Sequence, residues 1–90
     1  MNESTNNAKP LPTWVTFEQK RLRELIALGE ERTAVYVRTL ARLARQPSLT
    51  PPDKETRNDC HWRLSACKRT IAQHKAKLAD LTELFPGRIA

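Results

Sequence analysis

Hydrophobic positions in the second half of the chain recur at alternating intervals of four and three residues. The pattern starts at Cys60 and continues to Phe85 without a break. Such a repeat places one apolar stripe along an α-helix, as in the packing seam of a coiled coil. The stripe consists of Cys60, Leu64, Cys67, Ile71, His74, Leu78, Leu81 and Phe85. The pattern therefore predicts a long helix that packs along this seam against another helix.

The first half of the chain also predicts a helix, but its apolar residues are spread more widely. They cover roughly 200° of the helix surface, whereas the apolar stripe of an ordinary surface helix is a little over 100° wide. One neighbouring helix cannot cover that arc, so we expect an exposed apolar surface that a partner or a second copy covers. The candidate residues of this interface are Leu25, Leu28, Val35, Tyr36 and Leu43.

Prolines and capping residues predict the limits of the two helices. Thr16 and Gln19 have the spacing of a capping box, which predicts that helix 1 covers about residues 17–46 and stops before Pro47. The linker, residues 47–53, offers Thr50 or Asp53 as the cap of helix 2, which covers about residues 54–85. Residues 1–13 are polar and predict a disordered tail, and residues 87–90 form a second short tail.

Two long helices joined by a short linker are typical of an antiparallel hairpin. The predicted fold class is therefore all-α, a single two-helix hairpin over residues 14–86. We expect two hairpins to dimerise into a four-helix bundle, since this buries the wide apolar arc of helix 1. Gly29, in the middle of helix 1, would then lie opposite the region Ile71 to His74, where a bulky side chain could press against it.

The positive charge of the chain is concentrated near the predicted linker. The formal net charge is +6, and the segment between residues 32 and 45 contains four arginines and no acid. In a hairpin, this segment and the start of helix 2 form one basic half. The candidate residues of a basic, nucleic-acid-binding face are Arg38, Arg42, Arg45, Trp62, Arg63, Lys68 and Arg69.

The cysteines and histidines are spaced for packing rather than for a metal. Cys60, Cys67 and His74 are separated by seven residues each, or about 10 Å along a helix. Zinc ligands must converge on one ion through bonds of about 2.0–2.3 Å, and a disulfide requires Cα atoms within about 7 Å. We therefore expect no metal, no cofactor and no disulfide within one helix, and we interpret these residues as part of the seam.

One short motif points to an enzyme. The stretch Arg69-Thr-Ile-Ala-Gln-His74 has the R-x4-H spacing and resembles the catalytic motif of the HEPN ribonucleases, whose arginine and histidine meet their copies across a dimer interface. The resemblance implies RNA cleavage by a dimer. On the predicted helix, however, His74 lies in the apolar seam and Arg69 points elsewhere, so we expect no enzymatic activity.

The sequence thus favours a small non-enzymatic regulator or adaptor that binds a partner protein through an apolar helical surface. The alternative is a basic dimer that binds RNA or DNA through the arginines at the loop end. The predicted partners are a second copy of the chain and another protein, with nucleic acid as the alternative and with no membrane or small-molecule substrate. The N-terminus has neither the basic start nor the apolar stretch of a secretory signal, so we expect a cytoplasmic protein with reduced cysteines.

Overall fold

A computed structural model describes residues 11–86 of the chain. This part consists of two α-helices, α1 (Thr13–Ala44) and α2 (Pro51–Leu84), and contains no strand. The helices are antiparallel, because Trp14 at the start of α1 meets Phe85 at the end of α2. The prediction of an all-α helical hairpin is confirmed. The tail predicted for residues 87–90 and most of the tail predicted for residues 1–13 lie outside the described residues.

Helix α1 begins one turn earlier than the sequence pattern predicts. Pro12 has the extended backbone of a residue that precedes a helix, and its carbonyl accepts hydrogen bonds from the amides of Val15 and Thr16. Thr16 therefore lies inside the helix, and Gln19 is buried in the interface with α2. The predicted capping box is wrong. The early start is stabilised because it buries Val15 completely against the second helix.

The start of α2 agrees with one of the two predicted caps. The hydroxyl of Thr50 accepts a hydrogen bond from the amide of Asp53 at 3.3 Å. Pro51 and Pro52 occupy the first positions of the helix, where the missing amide hydrogens cost nothing. The carboxylate of Asp53 lies in the first turn, where a negative charge is favourable.

The seam predicted for α2 forms the contact between the helices. Cys60 is buried, and the seven other seam residues from Leu64 to Phe85 are half-buried, while nearly all other residues of α2 are exposed. Before Cys60, Arg57 is exposed, so the apolar seam begins at Cys60 as predicted. Its one histidine, His74, is half-buried, and its Nδ1 atom has no hydrogen-bond partner.

Helix α1 contributes a matching seam that the sequence pattern alone did not reveal. Nine of its twelve buried and half-buried residues recur at the same intervals of four and three. They are Val15, Gln19, Leu22, Ile26, Gly29, Thr33, Tyr36, Leu40 and Leu43. Three members, Gln19, Gly29 and Thr33, are polar or lack a side chain, so hydrophobicity alone does not distinguish this stripe from the rest of the apolar arc.

The hydrophobic core is thin for helices of this length. Only four hydrophobic residues of the described chain are buried. They are Val15, Leu22, Leu43 and Cys60. Near the middle of the hairpin the seam is occupied by Gly29, and a methyl group placed there would lie 2.7 Å from Cγ1 of Ile71. The predicted close approach of the helices at Gly29 is confirmed, with Ile71 as the residue that presses against it.

Candidate protein-binding surface

The structure places the five predicted interface residues in different environments. Leu28 and Val35 are 43% and 48% exposed. Leu25 and Tyr36 are half-buried beside them. Leu43 is only 2% exposed, since it continues the α1 seam three residues after Leu40. Leu43 therefore belongs to the core of the hairpin and not to the candidate surface.

An ion pair on one side and an open groove on the other distinguish the two broad faces of the hairpin. On one side, Glu30 forms an ion pair with Lys75 at 3.5 Å; we call this the back face. On the other side, an open groove next to the seam contains Trp14 and Glu18 of α1 together with Lys77 and other residues of α2. We call this second side the front face.

The front face carries most of the exposed apolar side chains. It is formed by the residues of α1 that precede the seam residues, among them Leu25, Leu28 and Val35, and by the corresponding residues of α2. Trp14 and Leu84 lie at its open end and are 57% and 71% exposed. The rings of Trp14 and Phe85 meet edge to face at 5.4 Å, which fixes the tryptophan beside the groove. The back face contributes only Val37 to the large exposed hydrophobic residues.

Ion pairs hold the charged side chains at both ends of the front face. Arg21 donates two hydrogen bonds to Glu18, at 2.9 and 2.6 Å. This hydrogen bonding lowers the pKa of the Glu18 carboxyl. Near the loop end, Arg63 donates to Asp59 at 2.7 Å, and this bond, with a smaller contribution from the neighbouring Tyr36, raises the pKa of Arg63. Both pairs are exposed, so they orient the side chains and contribute little to stability.

The candidate basic residues surround the loop half of the hairpin instead of forming one flat patch. Arg38 lies midway between the seam residues Tyr36 and Leu40, so its side chain leaves α1 on the side away from α2. Trp62 and Arg69 leave α2 on its own outer side, by the same reasoning. The rest divide among the faces and edges: Arg42 and Arg63 on the front, Lys68 on the back, and Arg45 on the outer side of α1.

Trp62 is the most exposed large hydrophobic residue of the described chain, at 72%. It covers neither the neighbouring helix nor the seam, because it projects from the outer side of α2. A tryptophan in water next to arginines is suited to stack on a base or to anchor a protein partner.

The cysteines and histidines do not converge. Both cysteines are free thiols, with Cys60 buried and Cys67 half-buried. Within residues 11–86, no group of three or more histidine, cysteine, aspartate or glutamate side chains is arranged to hold a metal ion. Arg69 is exposed and His74 is half-buried in the seam, so the two residues of the R-x4-H motif lie on different sides of α2.

Comparison with protein-family models, with curated proteins and with solved structures finds no match for this chain. In the part of the chain that the structure describes, neither helix has the apolar composition needed to cross a membrane. The surface itself is therefore the basis for a functional proposal.

Proposed function

We propose that this chain is a small non-enzymatic adaptor or regulator that binds a helical partner through its front face. The partner covers Leu25, Leu28 and Val35 and the adjacent edge of Tyr36, and thereby completes a four-helix bundle. The protein would act in the cytoplasm, where its two free cysteines, Cys60 and Cys67, would stay reduced.

The observation that supports this proposal most strongly is the thin core. Two helices of 32 and 34 residues bury only four hydrophobic side chains among the described residues. Domains of this size gain only a few kcal/mol from a well-filled core and often depend on association. Meanwhile Leu28 and Val35 remain 43% and 48% exposed. A second pair of helices on the front face would bury them and add the apolar contact that the hairpin lacks.

Introducing two carboxylates into the front face is expected to abolish partner binding. In the variant Leu28→Glu/Val35→Glu, both charges would lose water on association without gaining a partner, which costs several kcal/mol. Affinity should fall at least about a hundredfold, since about 1.4 kcal/mol corresponds to a factor of ten. The measurement uses the purified, tagged chain after nuclease treatment, and follows both its mass in solution and its binding to proteins of the native host.

The matched control is Ala27→Glu, which adds a carboxylate to an exposed position of the same helix outside the front face. It should leave binding unchanged. If the double variant keeps every interaction of the parent chain, the front face is not the binding surface and the proposal is wrong.

A second candidate function is nucleic-acid binding by the loop half. It is favoured by the 72% exposure of Trp62 and by the concentration of arginines on both sides of the loop. Lysine and arginine contacts to phosphates release counterions, so such binding weakens steeply with salt. An exposed tryptophan adds stacking energy that does not depend on sequence.

The variant Arg38→Ala/Arg42→Ala/Arg45→Ala tests this second function. If the chain binds RNA or DNA, removing three phosphate contacts should lower the slope of log affinity against log salt by about 2–3. Titration of a labelled single-stranded oligonucleotide at several salt concentrations measures this slope. If parent and variant give equal slopes, these arginines are not phosphate contacts. Binding of a protein to the front face, in contrast, should depend little on salt.

A further inference from the structure

The front-face residues of α1 form a stripe that is complementary to itself. These residues recur at intervals of three and four, next to the seam residues. From Glu18 to the end of α1 they are Glu18, Arg21, Leu25, Leu28, Arg32, Val35, Thr39 and Arg42. The apolar members lie on both sides of the centre, and the acidic residue lies at the opposite end from the last arginine.

An antiparallel copy of α1 pairs this stripe in a single register. If residue 30 of one copy lies at the level of residue 30 of the other, Glu18 faces Arg42 of the second copy. Leu25 then faces Val35, and each pairing occurs twice by symmetry. In the remaining layers, Leu28 lies against the aliphatic stem of Arg32 of the second copy, and Arg21 lies against Thr39. Both ends of the interface thus carry opposite charges, while its middle pairs Leu25 with Val35 and lays the stem of each Arg32 across Leu28 of the other copy.

The other two-fold arrangement that joins two front faces has its axis along the helices and stacks α1 on α2 of the second copy. It would bring the basic loop halves of the two hairpins together. Like charges that face each other across an interface disfavour that arrangement, whereas the antiparallel arrangement places the loop halves at opposite ends.

Helix α2 independently supports the same antiparallel arrangement of the two copies. Its front-face residues run from Asp59 to Leu84 at the same spacing. If the midpoint between residues 71 and 72 lies at the same level in two antiparallel copies of α2, Arg63 faces Asp80 of the second copy. These charges are again opposite, and the stem of Lys77 lies over Ala66. The least favourable layer, Leu84 against Asp59, lies at the rim.

The centres of the two helices coincide in the hairpin. Gly29 lies next to Ile71, because a methyl group on Gly29 would be 2.7 Å from the Ile71 side chain. Residue 30 of α1 and residues 71–72 of α2 are therefore level to within about one helical turn. One two-fold axis at this level, perpendicular to the helices, satisfies the pairing of both helices at once.

We infer that the partner on the front face is a second copy of this chain, packed with its helices antiparallel to those of the first around this two-fold axis. Two helices about 45 Å long and about 10 Å wide offer a face on the order of 800 Å², the area per partner of a standard stable interface. The inference rests on the proposed function, because it names the occupant of the same surface.

Cysteine pairs test the register directly. In the proposed dimer, position 25 lies opposite position 35 of the second copy, and each of these positions is about 15 Å along the axis from its own copy. A disulfide requires Cα atoms within about 7 Å. The variant Leu25→Cys/Val35→Cys should therefore form covalent dimers on mild oxidation, whereas Leu25→Cys and Val35→Cys alone should not. Peptide mapping distinguishes these bonds from bonds that involve Cys60 or Cys67.

A charge exchange provides a second test that leaves the apolar residues intact. Glu18→Arg and Arg42→Glu should each weaken self-association about tenfold or more. The double variant Glu18→Arg/Arg42→Glu should recover part of the loss, because opposite charges face each other again while the pair between positions 18 and 21 stays broken. Sedimentation equilibrium measures the association. Arg38→Glu, the same charge change on the outer side of α1, should have little effect.

The outcomes separate this inference from the proposed function. A dimer that cross-links only in the double cysteine variant supports the inference. A dimer that cross-links through either single cysteine overturns the register. If the folded chain stays monomeric while Leu28→Glu/Val35→Glu still abolishes binding of another protein, the inference is wrong and the proposed function stands. If the chain is monomeric and these substitutions change no interaction, both are wrong.

Discussion

Replacing Leu22 by alanine is expected to lower the free energy of unfolding of the hairpin by about 3 kcal/mol, within the usual range for a buried leucine truncated to alanine. The Leu22 side chain has no exposed surface, and among residues 11–86 only Val15 is equally buried. The truncation removes apolar contact and leaves a cavity between two stiff helices that cannot close around it. For a chain of this size the total free energy of unfolding is on the order of 5–10 kcal/mol, so this one change removes a large share of it.

The measurement is chemical denaturation followed by far-UV circular dichroism. Parent and variant must be compared at one chain concentration, because self-association makes apparent stability depend on concentration. The matched control is Phe17→Ala, a truncation at an apolar side chain of the same helix that is 69% exposed and lies outside the front face. It should change stability by less than about 0.5 kcal/mol. Equal losses in the two variants would show that Leu22 is not a core residue.

The importance of Leu22 also shows which part of the fold the sequence could predict. The α2 seam was predictable because all large apolar residues of this helix except Trp62 and Leu84 lie on it, so spacing alone identifies the buried side. The α1 seam was not, because apolar residues cover roughly half of the helix circumference. The residues that distinguish it, Gln19 and Thr33, are polar, and only the position of α2 shows that they face inward.

The same ambiguity explains the mixed outcome at the candidate surface. The wide arc of α1 contains both core residues such as Leu43 and surface residues such as Leu28. Hydrophobicity does not separate them, since the separation depends on where α2 packs. Likewise, the sequence showed that positive charge gathers near the loop, but two helices that turn through 100° per residue distribute it over several sides. The ion pairs Glu18–Arg21 and Asp59–Arg63 join residues three and four positions apart. This spacing is common along any charged helix, so the sequence does not show which pairs form.

Gly29 offers the most direct test of how closely the two helices pack. Alanine has a higher intrinsic helix propensity than glycine by about 1 kcal/mol, so Gly29→Ala would stabilise an isolated helix. In the hairpin, the new methyl group would lie 2.7 Å from Cγ1 and 3.1 Å from Cδ1 of Ile71. Overpacking of this kind typically costs about 1–3 kcal/mol, so we expect a net loss of about 1 kcal/mol in the free energy of unfolding.

Removing the opposing side chain should reverse the sign of this effect. Ile71→Ala eliminates both atoms that the new methyl group would meet, at the cost of its own lost contacts. In that background, Gly29→Ala should stabilise the hairpin by up to about 1 kcal/mol, because only the gain in helix propensity remains. A double-mutant cycle measured by denaturation isolates the coupling between positions 29 and 71.

Ala27→Gly is the matched control for the propensity part of this argument. Ala27 is exposed in the same helix, so its replacement should cost about 1 kcal/mol in both the parent and the Ile71→Ala backgrounds. If Gly29→Ala instead stabilises the parent chain, the helices are farther apart at this level than the structure places them. The contact between Gly29 and Ile71 shows that both helices of the proposed dimer can share one two-fold axis, so such a result would also remove that support. The cycle at these two positions therefore tests the packing inside one hairpin and the geometry by which two hairpins associate.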